Sequence, residues 1–178
     1  MRNARLYTAV AAVIVAAGLA AAAAVPARAR WRTATADELR RVIPARAPVI
    51  KENIETEFRT ASGVIDNRGR FIAGVVMITA GYSAEGKYSH FFLTQAPLRV
   101  GDLDLPAGQY VFGYTRASDD AIRVSFYRAA TGDPVGDAEA RRSTRKGGGV
   151  RSLLINPPAG GRANIQIGRF LLEYRVAD

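Results

Sequence analysis

The chain has 178 residues, with 25 lysines and arginines against 16 aspartates and glutamates, one histidine and no cysteine. The missing cysteines exclude a disulfide framework and a thiolate metal site, and a single histidine excludes any centre built on paired imidazoles. Stability must then come from a buried apolar core, and one domain of this length buries roughly two thirds of its unfolded-chain surface.

Met1–Ala29 reads as a signal peptide. Arg2 and Arg5 precede the uncharged run Leu6–Val25, and Ala27-Arg28-Ala29 offers the small-x-small pattern of a cleavage site. The expectation is export to the periplasm or the cell exterior. The alternative is an uncleaved N-terminal anchor, because twenty apolar residues suffice to span a bilayer. Without Arg2, Arg5 and Arg28, 22 basic residues stand against 16 acidic ones, a net +6 that suits solubility as well as an anionic partner.

Residues 30–51 form a lead-in. Thr35 and Glu38 are spaced as a capping box, Leu39, Val42 and Ile43 share one helical face, and Pro44 stops the helix. This predicts a short amphipathic helix over Ala36–Ile43, docked on the domain, followed by an extended connector through Pro48.

Residues 52–178 repeat with a period of two. Ile54–Ile65 predicts one strand or two, ended by Asp66-Asn67-Arg68-Gly69. Phe71–Thr79 is apolar on both faces, as in a central strand, with Gly74 marking a bulge or a close backbone approach. Lys87–Gln95 follows as a strand. Leu98–Val100 and Leu103–Leu105 flank Gly101-Asp102, a pair suited to a type II′ hairpin. Pro106 and Gly108 then bracket a tight turn before a strand from Gln109. Ile122–Tyr127 alternates cleanly, Gly136–Arg142 is a weaker strand, and Ser143–Arg151 is a glycine-rich loop. Leu153–Ile155 precedes a closing hairpin of Ala163–Ile167 and Phe170–Val176 across Gly168-Arg169. Nine or so short strands predict an all-β fold, an antiparallel β-sandwich or a barrel-like closure with one short N-terminal helix.

Few residues point to chemistry. Gly81–Lys87 matches G-x-x-x-x-G-K, but Tyr88 stands where a magnesium-binding hydroxyl belongs and a strand, not a helix, follows. The same stretch places Ser83 after Gly81-Tyr82 in the manner of a nucleophile elbow, with its second glycine one position too far. His90, between Tyr88 and Phe92 on one strand face, reads as a structural histidine. Glu52, Glu55, Glu57, Asp102 and Asp104 are the acids available to a carboxylate-based glycan hydrolase, the alternative to a binding module. No catalytic, cofactor or metal residue is assigned, and no cofactor is expected.

Two candidate surfaces remain. Arg141, Arg142, Arg145, Lys146 and Arg151 form the densest basic run, a candidate contact for an anionic glycan or another anionic surface. It lacks the interleaved aromatics of a nucleic-acid groove, so nucleic acid is not the expected partner. Tyr110, Phe112 and Tyr114 alternate onto one face, as a sugar-stacking platform or as the inner wall of the fold. Their place after the tightest corner predicts a buried Phe112, with the tyrosine hydroxyls at the margins. At Leu105-Pro106-Ala107-Gly108-Gln109-Tyr110 the chain resembles secreted bacterial β-sandwich families of unknown function. The resemblance spans about Phe92–Tyr127 and implies an exported, cofactor-free domain, envelope-associated or binding a ligand or protein partner, with no catalytic residues to carry over.

Overall fold

The computed structural model describes residues 29–144 and 149–177. Of the expected signal peptide only Ala29 is among them, and Arg145 and Lys146 lie outside the described residues. Among the described residues thirteen antiparallel strands, accompanied by one short helix, curl into a nearly closed, barrel-like sheet. In chain order they are β1 (Trp31–Thr33), α1 (Ala36–Arg40), β2 (Arg46–Val49), β3 (Glu52–Asp66), β4 (Phe71–Met77), β5 (His90–Thr94) and β6 (Leu98–Val100). There follow β7 (Leu103–Leu105), β8 (Gly108–Arg116), β9 (Ala121–Arg128), β10 (Pro134–Arg142), β11 (Arg151–Ile155), β12 (Arg162–Gly168) and β13 (Phe170–Val176).

The capping box forms as expected: Glu38 N–H donates to the Thr35 hydroxyl at 3.2 Å, and Thr35 N–H donates to the Glu38 carboxylate at 2.8 Å. The helix is shorter than predicted. After Arg40 the amides of Arg41 and Val42 bond to carbonyls three residues back, tightening the last turn ahead of Pro44. Leu39 and Ile43 still enter one apolar cluster. The connector proves to be a strand, β2, paired with the start of β3 through Arg46↔Glu55 and Val49↔Glu52. Among the described residues β2 has β3 as its only strand partner, an edge position in which the missing N–H of Pro48 is tolerated. Trp31–Thr33, with no alternation of its own, becomes a strand because the far end of β3 supplies its partner.

β3 is one long strand with an irregularity. Glu57 faces Val76 and Ser62 faces Gly74, so Phe58–Ala61 oppose Val75 alone. The Thr60 hydroxyl repairs the ladder, accepting from Val76 N–H at 2.9 Å and donating to the Glu57 carbonyl at 2.8 Å. From β3 the sheet runs through β4, β5, β8, β9, β10, β13 and β12 to β11. The β6–β7 hairpin pairs with β13. Gly101 at its turn has φ 58°, while Asp102 keeps a negative φ, the type II′ pattern read from the sequence. β11 returns to β3, where Ile155 N–H donates to the Ser62 hydroxyl at 2.8 Å.

Two apolar clusters hold the sheet. The interior one includes Phe92, Phe112, Phe126, Leu153, Ile165 and Tyr174. The other lies on the outer side of β4, β5 and β8, where Leu39, Ile43, Ala47 and Val49 of the lead-in cover Phe71, Val75, Phe91 and Val111. β4 is therefore apolar on both faces, and Gly74 is the close approach: a Cβ there would lie 3.1 Å from both a Leu153 methyl and the Phe91 carbonyl oxygen.

Candidate functional site

The described members of the basic run, Arg141, Arg142 and Arg151, lie at one end of the barrel, where β10 finishes, β11 begins and the β8–β9 turn closes. Successive residues of a strand face opposite ways, so Arg141 and Arg142 diverge. Arg141, opposite Leu171, pairs outward with Glu139 at 2.9 Å. Arg142, opposite Phe170, reaches the β8–β9 turn. Its Nε lies 3.1 Å from the Asp120 carboxylate, and its Nη2 donates to the Asp119 carbonyl at 2.7 Å. Arg142 is thus a clamp on a neighbouring turn as well as a surface charge.

Arg151 opens β11 opposite Gly168 and lines a cleft of about 470 Å³ with Arg59, Thr60, Ser62 and Val150. Arg59 is held by Glu57 at 3.0 Å. Arg169 stands at the tip of the β12–β13 hairpin, and its carbonyl accepts from Ser143 N–H at 2.9 Å. Neither Arg151 nor Arg169 joins an ion pair among the described residues. In the sequence Arg169 reads as a turn residue; only the strand register reveals that its hairpin abuts the end of β10. Clefts of about 460 Å³ and 540 Å³ flank Arg141 and Arg142, both with Glu139 in their walls.

The aromatic face divides. Tyr110 is fully buried; its hydroxyl donates to the Pro106 carbonyl and accepts from Arg128 Nη1 at 3.3 Å. Phe112 is buried, with Phe126 at 5.3 Å and Phe92 at 6.4 Å between ring centroids. Tyr114 is 49% exposed at the rim, 6.1 Å from the His90 ring. Two of the three rings therefore line the interior, leaving Tyr114 as the one able to meet a ligand.

The remaining motifs fold as local structure. Residues 79–88 run as successive tight turns, and the Lys87 ammonium lies 4.9 Å and 5.0 Å from the centroids of the Tyr88 and Tyr127 rings. Ser83 donates its hydroxyl to Glu52 at 2.6 Å. Asp102 and Asp104 flank Arg99 at 3.8 Å and 3.6 Å. Paired hydrogen bonds from Arg32, helped by Thr35 N–H, hold the Glu38 carboxyl down at about 2. Arg59 lowers Glu57 in the same way. Burial would raise Asp66, yet hydrogen bonds from Arg70 and Arg68 outweigh it and the net shift is downward. Among the described residues no three acids or histidines are grouped to hold a metal ion, and no helix is long and apolar enough to cross a membrane.

In comparisons with known proteins, no family model, no curated protein and no solved structure matches this chain.

Proposed function

We propose that the chain is an exported, non-catalytic binding module that presents its arginine-bearing barrel end to an anionic component of the cell envelope. The observation that supports this most is how the carboxylates are used. Glu38, Glu57, Asp66, Asp102, Asp104, Asp119, Asp120 and Glu139 each face an arginine, and the three with shifted pKa values move down. A glycan hydrolase needs one carboxyl raised so that it can donate a proton near neutral pH. Carboxylates spent on arginines suit a folded scaffold, while Arg151 and Arg169 keep their charge for a partner.

The test is chromatography of the purified protein on sulfated and neutral polysaccharide columns, with reducing ends assayed in the eluate. Retention on the sulfated matrix that falls steeply with salt, without chain cleavage, is the expected result. Release of new reducing ends would replace this reading with the hydrolase.

A further inference from the structure

A second basic feature lies on the outer face of the sheet, towards its opposite end, and has no counterpart in the linear sequence. The register sets Arg162 of β12 directly opposite Arg175 of β13, and Arg175 directly opposite Arg99 of β6. On each strand the flanking residues turn inward: Ala163 and Ile165, Tyr174 and Val176, Leu98 and Val100 all join the interior cluster. The three arginines therefore share the outer face in one row across three adjacent strands. At about 4.8 Å between strands, the row spans roughly 10 Å.

Like charges directly opposite one another destabilise a sheet. Arg99 is partly offset by Asp104, its partner across the β6–β7 hairpin, at 3.6 Å, and by Asp102 at 3.8 Å. Arg162 and Arg175 join no ion pair among the described residues. Glu173, two positions from Arg175 on the same face, lies opposite Asn164 and makes no ion pair among the described residues either. Arg32, Arg40, Arg59, Arg70, Arg116, Arg141 and Arg142 each meet an acid. Here two stand side by side without one, which is the arrangement expected where a ligand supplies the negative charge.

We propose that the row Arg162–Arg175–Arg99 is a binding site for a linear anionic polysaccharide, whose successive sulfate or carboxylate groups lie across the strands. Three arginines in register across adjacent strands, Arg99 among them also facing Asp102 and Asp104, favour a connected series of oxyanions over one compact anion. The row's polar flank, Asn164 and Glu173, offers hydrogen bonds to sugar hydroxyls and no ring on which a base would stack. The site rests on the reading of the protein as an anion-binding module, but not on the barrel end assigned above.

The experiment uses the full chain and a heparin-derived hexasaccharide, with binding measured by calorimetry at several salt concentrations. Wild-type protein should bind with salt-sensitive affinity. Arg162→Gln and Arg175→Gln should each weaken binding about tenfold and flatten the salt dependence, while Arg41→Gln and Arg123→Gln, at exposed arginines outside both surfaces, change it less than twofold. In ligand-free, low-salt buffer the Arg175→Gln variant should also unfold at the same or a higher temperature than wild type, because it relieves repulsion. That comparison separates loss of a ligand contact from loss of fold. Unchanged binding by the row variants, with loss in Arg151→Gln and Arg169→Gln, overturns the row and leaves the barrel-end module standing. Absence of wild-type binding to the hexasaccharide, to inorganic phosphate and to phosphatidylglycerol vesicles alike overturns both. Equal stabilisation by inorganic phosphate at matched ionic strength, or binding to phosphatidylglycerol vesicles but not to the hexasaccharide, overturns the polysaccharide.

Discussion

His90 lies flat on Phe112, with ring centroids 4.5 Å apart and planes 8° from parallel. The stack places the chain's single histidine inside the barrel, where Nδ1 shares a 2.8 Å hydrogen bond with the Ser89 hydroxyl and Nε2 is buried without one of good geometry. Burial lowers the His90 pKa to about 4, with the Ser152 backbone offsetting it only in part.

The native state therefore holds His90 neutral where the unfolded chain would protonate it near 6.5. The stability this contributes is fully present above pH 6.5 and is lost as the pH falls towards 4. The loss is on the order of 3 kcal/mol. The lowered carboxylates Glu38, Glu57 and Asp66 add their own losses only below their ordinary range, at and under 4.5. Urea titrations of wild type and His90→Phe at half-unit steps should diverge between pH 6.5 and 4.5, with the variant nearly flat. Parallel curves would show that the imidazole is charged in the folded state.

Phe112 touches His90, Phe92 and Phe126 at the centre of the interior cluster. Phe112→Ala should cost about 3–5 kcal/mol, as for other emptied aromatic core sites. Chemical denaturation measures it, and a cost below 1 kcal/mol would mean that the barrel collapses around the hole.

Gly113 has the backbone of Lys87 laid across it, and a Cβ there would lie 2.1 Å from the Lys87 carbonyl oxygen. Backbone cannot swing aside as a side chain does, so Gly113→Ala should cost roughly 1–3 kcal/mol or more. Gly149→Ala, where nothing lies within 4 Å of the added carbon, is the matched control and should leave the denaturation midpoint unmoved.

Arg142 and Arg151 should behave differently although the sequence sets them in one basic run. Arg142→Ala frees the Asp119 carbonyl and the Asp120 carboxylate, at a cost of about 1 kcal/mol given its partial exposure. Arg151→Ala, with no ion pair among the described residues, should stay within about 0.5 kcal/mol. Faster amide exchange at residues 117–121 in the first variant alone would identify the clamp.

Local chemistry made much of the fold legible. Gly101-Asp102 specifies its turn by backbone geometry, and Phe71–Met77 announces a two-faced strand by composition alone. Trp31–Thr33 was silent because its strand character belongs to its partner, residues 64–66. The irregularity at Phe58–Ala61 was silent because it depends on one hydroxyl, Thr60, finding Val76 across the ladder. The charged surfaces were legible only where arginines adjoin in sequence. Arg99, Arg162 and Arg175 become neighbours through strand register, which fixes which side chains meet and leaves no trace in spacing.

The bond between Ser62 and Ile155 joins groups 93 residues apart, and it marks where the two ends of the sheet meet. During synthesis β3 and β4 leave the ribosome long before β11 exists. Val64 and Ile72, wholly buried in the finished molecule, must wait exposed until the last third of the chain arrives. Closure is accordingly a late event, and the half-made sheet is a sticky, open-edged species that a holding chaperone would recognise. Truncation anywhere before β11 would leave the chain in that vulnerable form permanently, which ties successful production of this protein to delivery of its C-terminal hairpin.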